Sequence, residues 1–291
     1  CLPRPAPTAV AATTEGPPGD RPMDPGVVPS PPGSPVPGAA AQATKVTFVA
    51  DSTIFTNTRR VLRLAERYGA HVISHQGDVD YNQRPAQFFG LVNEIAGSHV
   101  PVLLAVGNAE WATPEPYSRM AQERVRPPVQ CEGPMGFASH CVIAGPGRTP
   151  VAFVHLSGWS PPSPKAAPSE TTAWPLQEQL QLVRTALGAH GLGVWKVCAF
   201  HVPAAAPSTL DKDLDGQAAA WALTQECLRH GALVVNAHKH YYARSRPVRA
   251  GASALAPDPA PEPGTPEAPV RLQPGRGVVL IAGLGGASIG R

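Results

Sequence analysis

The stretch HVISHQGDVDY, residues 71–81, decides the fold, because a short apolar strand leads directly into a glycine and two acids. KVTFVAD at 45–51 and VPVLLAVGN at 100–108 repeat this arrangement, with helical patterns between them. Strands that alternate with helices predict an α/β chain, α+β in part, with parallel or mixed sheets. Functional groups in such sheets gather at the carboxyl ends of the strands. Here those ends carry Asp51, Asp78 and Asn108.

Two of the predicted helices have a regular apolar stripe, which we expect to face the core. In NTRRVLRLAERYG, starting at residue 57, the stripe is Val61, Leu64, Ala65 and Tyr68. In WPLQEQLQLVRTALG, starting at residue 174, it is Leu176, Leu180, Val183 and Leu187. Further helices are predicted at about 85–97 and about 216–230, between strands.

Histidines follow two strands in the second half of the chain. VWKVCAF ends at His201 and ALVVNA ends at His238, with His240 on the same side of an extended segment as His238. Carboxylate, amide and imidazole groups suit borderline or hard divalent and trivalent cations. Taken singly, each residue has a simpler explanation, since Asp and Asn cap helices or form turns and a lone His is often structural. Together, five strand ends present five candidate metal ligands.

The order of these motifs resembles that of the calcineurin-like metallophosphoesterases: an Asp, then GDxxY, GNH[DE], a His after a strand, and GHxH. The chain has ADST at Asp51, GDVDY at 77–81, GNAE at 107–110, FHVP at His201 and NAHKHYYARSRPV from residue 236. The Tyr in GDVDY and the HKHYYAR segment are most similar to the purple acid phosphatase branch. The resemblance covers nearly all of residues 45–291 and implies a four-layer αββα sandwich.

The resemblance also implies a site for two metal ions that hydrolyses phosphate esters. Asp78 would bridge the ions, with Asp51, Tyr81 and His240 on one ion and Asn108, His201 and His238 on the other. A bridging carboxylate allows a separation of about 3.5 to 4 Å, and a metal-held hydroxide would be the nucleophile. A Tyr81 phenolate would favour Fe(III), paired with Zn, Mn or Fe, although Tyr81 as a packed aromatic stays open.

The sharpest departure from the motif is Ala109, which replaces the His of GNH[DE]. In the family that His contacts the substrate phosphate and helps to protonate the leaving group, so its loss implies a rate lower by roughly 10²- to 10⁴-fold. Glu110 cannot simply be assumed to replace it, because neighbouring residues on a loop seldom point the same way, and His75, His140 and His155 are expected to have structural or solvent-facing roles. Thr53 also stands where the wider family often has a His ligand.

Three hypotheses about function therefore stand. The first is a phosphoesterase of reduced or altered activity. The second is a catalytically silent relative that keeps the metals or binds a phosphate-bearing ligand, and the third is a domain that binds no metal. Ala109→His distinguishes the first two, because only a site that lacks its acid alone should gain activity.

Proline marks the two stretches that we predict to be unpacked. Of 36 prolines, residues 1–44 hold twelve and residues 251–275 hold seven. The first stretch is predicted to be a disordered tether before a domain at 45–291, and the second a surface loop. The net charge of +3 is small and its Lys and Arg residues are scattered, which argues against nucleic acid as a partner. No stretch has the roughly 20 apolar residues of a membrane span.

The cysteines indicate in which cellular compartment the protein is expected to lie. A chain beginning at Cys1, followed by a Pro/Ala/Gly tether, resembles a bacterial lipoprotein with an acylated first Cys, although truncation or signal cleavage is the alternative. Cys131 and Cys141 are expected to form a disulfide, with two reduced thiols as the alternative. Cys198 and Cys227 are predicted to be core residues. We expect an extracytoplasmic protein, secreted or tethered through Cys1.

Overall fold

The structure of the chain is a computed structural model, and it describes residues 43–145, 148–158, 174–204, 214–251, 256–258 and 271–288. Cys1 and nearly all of the predicted tether lie outside these residues, so lipidation and the tether stay predictions. Among the helices of the described ranges, none is long and apolar enough to cross a membrane.

The first half of the described chain forms a three-stranded parallel sheet with helices between its strands. Its elements are β1 (Val46–Val49), α1 (Thr56–Arg67), β2 (Val72–His75), α2 (Pro85–Ile95), β3 (Val102–Leu104) and α3 (Glu115–Gln122). All four residues of β2 are buried, so both faces of this sheet are covered. The alternation predicted from the sequence is confirmed here, whereas α3 was not predicted.

Helix α1 buries a face that only partly overlaps the predicted one, since Ala65 is buried as predicted. Thr58 and Leu62 are buried, whereas Leu64 and Tyr68 are 51% and 58% exposed. The prediction was therefore wrong for Leu64 and Tyr68. Thr58 turns inward because its hydroxyl accepts a hydrogen bond from the Thr53 N–H at 2.9 Å. An apolar pattern cannot reveal a face that is set by a buried polar side chain.

The second half of the chain forms a larger mixed sheet. Its elements are β4 (Val129–Glu132), β5 (Ala138–Ile143), β6 (Val151–Leu156), α4 (Leu176–Gly188), β7 (Trp195–Ala199), α5 (Leu214–Arg229), β8 (Leu233–Asn236), β9 (Tyr242–Arg244), β10 (Val248–Arg249), β11 (Ala256–Pro257) and β12 (Arg276–Ala282). The strand order is β11-β10-β12-β8-β7-β6-β5-β4, with β9 beside β12. Strands β6, β7, β8 and β12 run parallel, and antiparallel strands flank them.

Two apolar cores divide the domain into four layers. Along β6, Val151 and Phe153 pack in a core shared with the first sheet, whereas Ala152 and Val154 face α4 and α5. The predicted stripe of α4 lies in this second core, which confirms that helix's orientation. The order of layers is thus helices, first sheet, second sheet, helices. The predicted αββα sandwich is confirmed.

Two disulfides tie the second sheet to itself and to its helix layer. Cys131 and Cys141 oppose each other on β4 and β5, with Cα atoms 4.1 Å apart, and are disulfide-bonded. Cys198 of β7 and Cys227 of α5 are buried, as predicted, and they also form a disulfide. That second bond was missed because only the packing of α5 on the sheet brings the two sulfurs together.

The Pro-rich segment at 251–275 contains a short stretch of sheet. Residues Ala256–Pro257 form β11, which pairs with β10 in an antiparallel ladder. The N–H of Gly275 bonds the Leu228 carbonyl at 2.9 Å, which anchors the far end of the segment to α5. Residues 252–255 and 259–270 lie outside the described ranges.

Candidate metal centre

The seven candidate ligands lie at one edge of the domain, where strand ends from both sheets meet. Asp51, Asp78 and Asn108 follow strands β1, β2 and β3 of the first sheet, and His201 and His238 follow β7 and β8 of the second. Tyr81 and His240 lie in the adjoining loops, three residues after Asp78 and two after His238. The gathering of strand ends expected from the sequence is therefore seen in the structure.

The backbone is strained at three of these ligands. Asp51, Asp78 and His238 have φ angles of 55°, 50° and 68°, in the left-handed region. Residues with a Cβ seldom adopt such a conformation, which costs of order 1–3 kcal/mol each. Within the described ranges, the one other non-glycine residue with such a φ is Gln83. The strain is thus concentrated where the backbone aims candidate ligands inward.

One half of the site is built around the amide of Asn108. Its Oδ1 lies 3.0 Å from His201 Nε2 and 3.0 Å from His238 Nδ1. The two imidazole nitrogens are 3.3 Å apart, and Asp78 Oδ1 lies 3.4 Å from His201 Nε2. Four potential ligand atoms from two sheets thus point at one small volume.

The other half of the site is built around the phenol of Tyr81. Its hydroxyl lies 3.1 Å from Asp51 Oδ1 and 2.8 Å from His240 Nε2. His240 Nε2 is in turn 3.5 Å from Asp51 Oδ1. This half is more open to solvent, since Tyr81 is 41% exposed whereas His201 is fully buried.

Two backbone carbonyls fix which nitrogen each histidine turns to the site. His201 Nδ1 lies 2.8 Å from the Gln76 carbonyl, and His240 Nδ1 lies 2.5 Å from the Ser288 carbonyl. A carbonyl oxygen only accepts, so Nδ1 carries the proton in both rings and Nε2 offers a lone pair. This arrangement is typical of metal-ligating histidines. Sequence reasoning missed Gln76 and Ser288, because a backbone carbonyl leaves no side-chain signal.

The electrostatics of the site favour positive charge. Asp51 and Asp78 are both buried, and Asp51 Oδ2 has no hydrogen-bond partner. Burial lowers the pKa of His201, but the Asp78 and Asp51 carboxylates outweigh it and raise that pKa above its usual value. Atoms of Asp51, Asp78 and His201 lie within 4.8 Å of one another, so these residues could hold a metal ion. The donor set therefore fits a cation.

Two glycines let the backbone approach the carboxylates closely. A Cβ on Gly107 would overlap Asp78 Oδ1. A Cβ on Gly283 would lie 2.7 Å from Asp51 Oδ2. Both carboxylates can therefore keep their conformations only because Gly107 and Gly283 have no side chain.

The GNAE turn has a structural acid next to the missing histidine. Glu110 is fully buried and accepts hydrogen bonds from the N–H groups of Gly107, Asp78 and Val79 at 2.8–2.9 Å. Burial and then the Asp78 carboxylate raise the pKa of Glu110 to about 7, which the Gly107 N–H opposes. Ala109 donates its N–H to Asp78 Oδ1 at 2.8 Å. The N–H of Ala109 thus holds Asp78, and both carboxylate oxygens of Glu110 are used to brace the turn.

The three histidines considered as substitutes have other partners. His75 and His155 are fully buried and bond the hydroxyls of Ser52 and Ser74, both at 2.9 Å. His140 Nε2 contacts His190 Nε2 at 3.2 Å. Burial lowers the pKa of both His75 and His155 to about 3, so neither can donate a proton at neutral pH. Their expected structural roles agree with these contacts.

Thr53, where the resemblance would place a His ligand, belongs to the turn that begins α1. Its hydroxyl lies 3.1 Å from Thr58 Oγ1 and accepts the Phe55 N–H at 3.2 Å. Its side chain therefore has partners in the turn itself.

Comparison with solved structures identifies the fold. The chain is similar to a purple acid phosphatase from yellow lupin (Lupinus luteus) seeds, with 15% identity and a TM-score of 0.50 over 84% of this chain and 45% of the lupin chain. The chain thus spans less than half the length of that protein. It is also similar to a dimetal phosphatase from Danio rerio, with 10% identity and a TM-score of 0.48 over 83% of this chain and 88% of that one. No family model and no curated protein sequence matches the chain. At 15% identity, the comparison with the lupin structure shows a shared fold alone.

Proposed function

We propose that this chain, which has the metallophosphoesterase fold, is a phosphoesterase that depends on two metal ions and has reduced general-acid catalysis. The observation that carries the proposal is the convergence of lone pairs from Asp78, Asn108 and His201 at the joined strand ends. Two buried carboxylates lie in or beside this cluster, and Asp51 Oδ2 has no hydrogen-bond partner. Cations would neutralise these carboxylates and take up the free oxygen.

Each residue has a defined role in this proposal. Asn108, His201 and His238 would hold one ion, and Asp51, Tyr81 and His240 would hold the other. Asp78 is placed to be shared, since it lies in the cluster with His201 and with Asp51. When bound, two ions of this kind supply positive charge to both the attacking and the leaving oxygen of a phosphate ester. The protein supplies ligand orientation through Gln76, Ser288 and Glu110.

Ala109 limits which esters the site would hydrolyse well. The turn that carries it is intact, but its methyl group cannot transfer a proton to a leaving alkoxide. We therefore propose esters of good leaving groups, such as nitrophenyl phosphate, as the substrates of choice. Alkyl phosphates would react more slowly, because protonation of the leaving group contributes typically 10²–10⁴-fold.

The first experiment measures metal content and the visible spectrum of protein prepared without a metal-chelating tag. We expect two ions per chain and hydrolysis of nitrophenyl phosphate that is lost in a metal-free sample. Burial and the Asp78 and Asp51 carboxylates raise the pKa of Tyr81, so its phenolate needs a strongly charged ion such as Fe(III). A phenolate-to-iron absorption band that is lost in Tyr81→Phe would support iron. Protein without metal would contradict the proposal.

Ala109→His tests whether only the acid is missing. We expect the variant to hydrolyse alkyl phosphates at least tenfold faster, with a smaller gain on nitrophenyl phosphate, because the weaker leaving group gains more from a proton donor. Ala112→His, on an exposed position of the same loop, is the matched control. Equal gains in both variants, or none at 109, would argue against a site that lacks only its acid.

A silent metal- or phosphate-binding protein is the second candidate. The observation that favours it is Ala109, since His75 and His155 are buried elsewhere and His140 bonds His190. In that case inorganic phosphate should bind the metal-loaded protein in a calorimetric titration, with no turnover of any ester. Turnover above a metal-free control would exclude this candidate.

We also propose that the domain folds outside the cytoplasm. The two disulfides support this, because such bonds persist in oxidising compartments and are rare in the cytosol. Alkylation of unreduced, denatured protein should leave Cys131, Cys141, Cys198 and Cys227 unmodified. Modification of these four residues in freshly isolated protein would contradict the proposal.

A further inference from the structure

Two histidines outside the candidate metal centre face each other through the same ring atom. His140 lies in β5 and His190 lies two residues after α4, with their Nε2 atoms 3.2 Å apart. Their ring planes are inclined by 48°, so the rings are not stacked. Both side chains are half-buried, which leaves the pair accessible from solvent. Two imidazoles that share no residue with the centre therefore converge on one point.

A carboxylate lies on the same face of the sheet as His140. Glu132 of β4 is the cross-strand partner of His140, so the two side chains project from the same face of the sheet. The neighbouring Cys141 packs in the core between the sheets, which places His140 and Glu132 on the face toward α4. Glu132 is exposed and acts on the charge of His140. The three residues combine donor types that borderline transition metals accept.

The distance between the two nitrogens matches what one cation requires. Zinc binds imidazole nitrogen at about 2.0–2.1 Å, so two such nitrogens on a tetrahedral ion stand about 3.3 Å apart. The observed 3.2 Å needs almost no rearrangement. Burial and the nearby His190 lower the pKa of His140, which favours the neutral ring that ligates metals.

We propose that His140 and His190 form a second cation site, for a borderline divalent transition metal such as Zn²⁺, which the Glu132 side chain on the same face of the sheet would reach by a change of rotamer. The ion would join β5 to the end of α4, where His190 N–H bonds the Leu187 carbonyl at 3.3 Å. It would clamp the helix layer to the antiparallel edge of the second sheet. This proposal does not rest on the proposed phosphoesterase function.

The test compares Zn²⁺ binding by His140→Gln, His190→Gln and the unchanged protein. His99→Gln is the matched control, because His99 is exposed and lies in the loop after α2. We expect the unchanged protein and His99→Gln to bind one Zn²⁺ per chain more than either of the other variants. Once the candidate metal centre is loaded, their thermal midpoints should rise further with added micromolar Zn²⁺, and that further rise should be absent from His140→Gln and His190→Gln.

The outcomes separate this site from the candidate metal centre. Asp78→Asn should lower the metal content of the centre and leave the extra equivalent in place. Circular dichroism without added Zn²⁺ verifies that each variant folds. If His140→Gln does not fold, the result for His190→Gln decides the test, since His190 lies beyond the helix. The proposal is overturned if the unchanged protein binds no more Zn²⁺ than the two histidine variants.

Discussion

Two polar clusters made by the same pair of sheets show opposite hydrogen-bonding patterns. Between the sheets, Gln76 Nε2 donates to the Ser74 hydroxyl at 2.7 Å, and that hydroxyl lies 2.9 Å from His155 Nε2. We call Ser74, Gln76 and His155 the inter-sheet seam. At the strand ends, Asn108 Oδ1 and Asp78 Oδ1 both face His201 Nε2. The contacts of the seam pair one donor with one acceptor, whereas in the metal centre two acceptor oxygens share one imidazole nitrogen.

The difference teaches how a binding site can be told from a structural polar cluster. Residue type does not separate the two clusters, since each combines a buried histidine with polar oxygen atoms. The partner of Nδ1 does, because His201 Nδ1 bonds a backbone carbonyl while His155 Nδ1 has no partner. A ring anchored at Nδ1 presents Nε2 in a fixed direction. The seam leaves Gln76 Oε1 and His155 Nδ1 without partners but is uncharged, whereas the centre gathers two buried carboxylates and therefore favours positive charge.

Metal removal should have the largest effect on stability, and that effect should depend on the metal centre and not on the seam. Chelation should lower the free energy of unfolding by about 4 kcal/mol or more, since a ligand at a thousandfold its Kd stabilises the folded state by that amount. The change would be measured as urea unfolding with and without chelator, with the disulfides intact.

Variants in the two clusters serve as matched controls for chelation. Asp78→Asn should lose most of the response to chelator, because it removes the shared carboxylate. His155→Gln should keep the full response, because the seam holds no ion. If the unchanged protein did not respond to chelator, its acceptors would be satisfied by protons, and the proposed metal centre would be wrong.

Glu110→Gln should produce the next largest effect. A carboxylate with three backbone donors is replaced by an amide with one acceptor oxygen, which leaves a buried N–H unpaired. The expected loss is about 2–3 kcal/mol of unfolding free energy. Urea unfolding measures it, and Glu66→Gln, on the exposed side of α1, should change it by less than about 0.5 kcal/mol. Similar losses in both variants would mean that Glu110 is not a brace.

The sequence predicted the layers better than the details within them. Alternating strands and helices carry strong periodic signals, so the main parallel strands and the stripe of α4 were predicted correctly. The antiparallel strands β4, β5 and β9 were missed, because their side chains are divided between a core and solvent over short lengths. The exposed Leu64 shows a further limit, since a helix face is chosen by tertiary packing as well as by period.

The candidate ligands could be found in the sequence because each side chain follows a strand end in a motif of known order. What holds those ligands could not be found in this way. Gln76 and Ser288 act through carbonyl oxygens, and Glu110 acts on backbone N–H groups across a turn. These contacts depend on distances between strands, which no spacing in the sequence encodes.

Acid should lower the stability of the folded protein through His155, the titratable residue of the seam. Burial alone lowers the pKa of His155 to about 3, below the value of about 6.5 expected in the unfolded chain. Between pH 6.5 and pH 3, His155 is therefore protonated in the unfolded chain but not in the folded protein. The stability that this group contributes above pH 6.5 is lost as the pH falls toward 3. The contribution of this one group is about 1.4 kcal/mol per pH unit.

The measurement is urea unfolding of chelator-treated protein between pH 6 and pH 4, compared with His155→Gln. The variant should lose stability more slowly by about 1.4 kcal/mol per pH unit, because glutamine does not titrate. All carboxylates and the histidines of the metal centre titrate in both proteins, so their contribution cancels in the difference. His99→Gln, which removes an exposed histidine, should follow the unchanged protein. Equal slopes of unfolding free energy against pH for His155→Gln and the unchanged protein would mean that His155 is protonated or reached by water in the folded state. The seam would then resemble the metal centre in its need for a further partner.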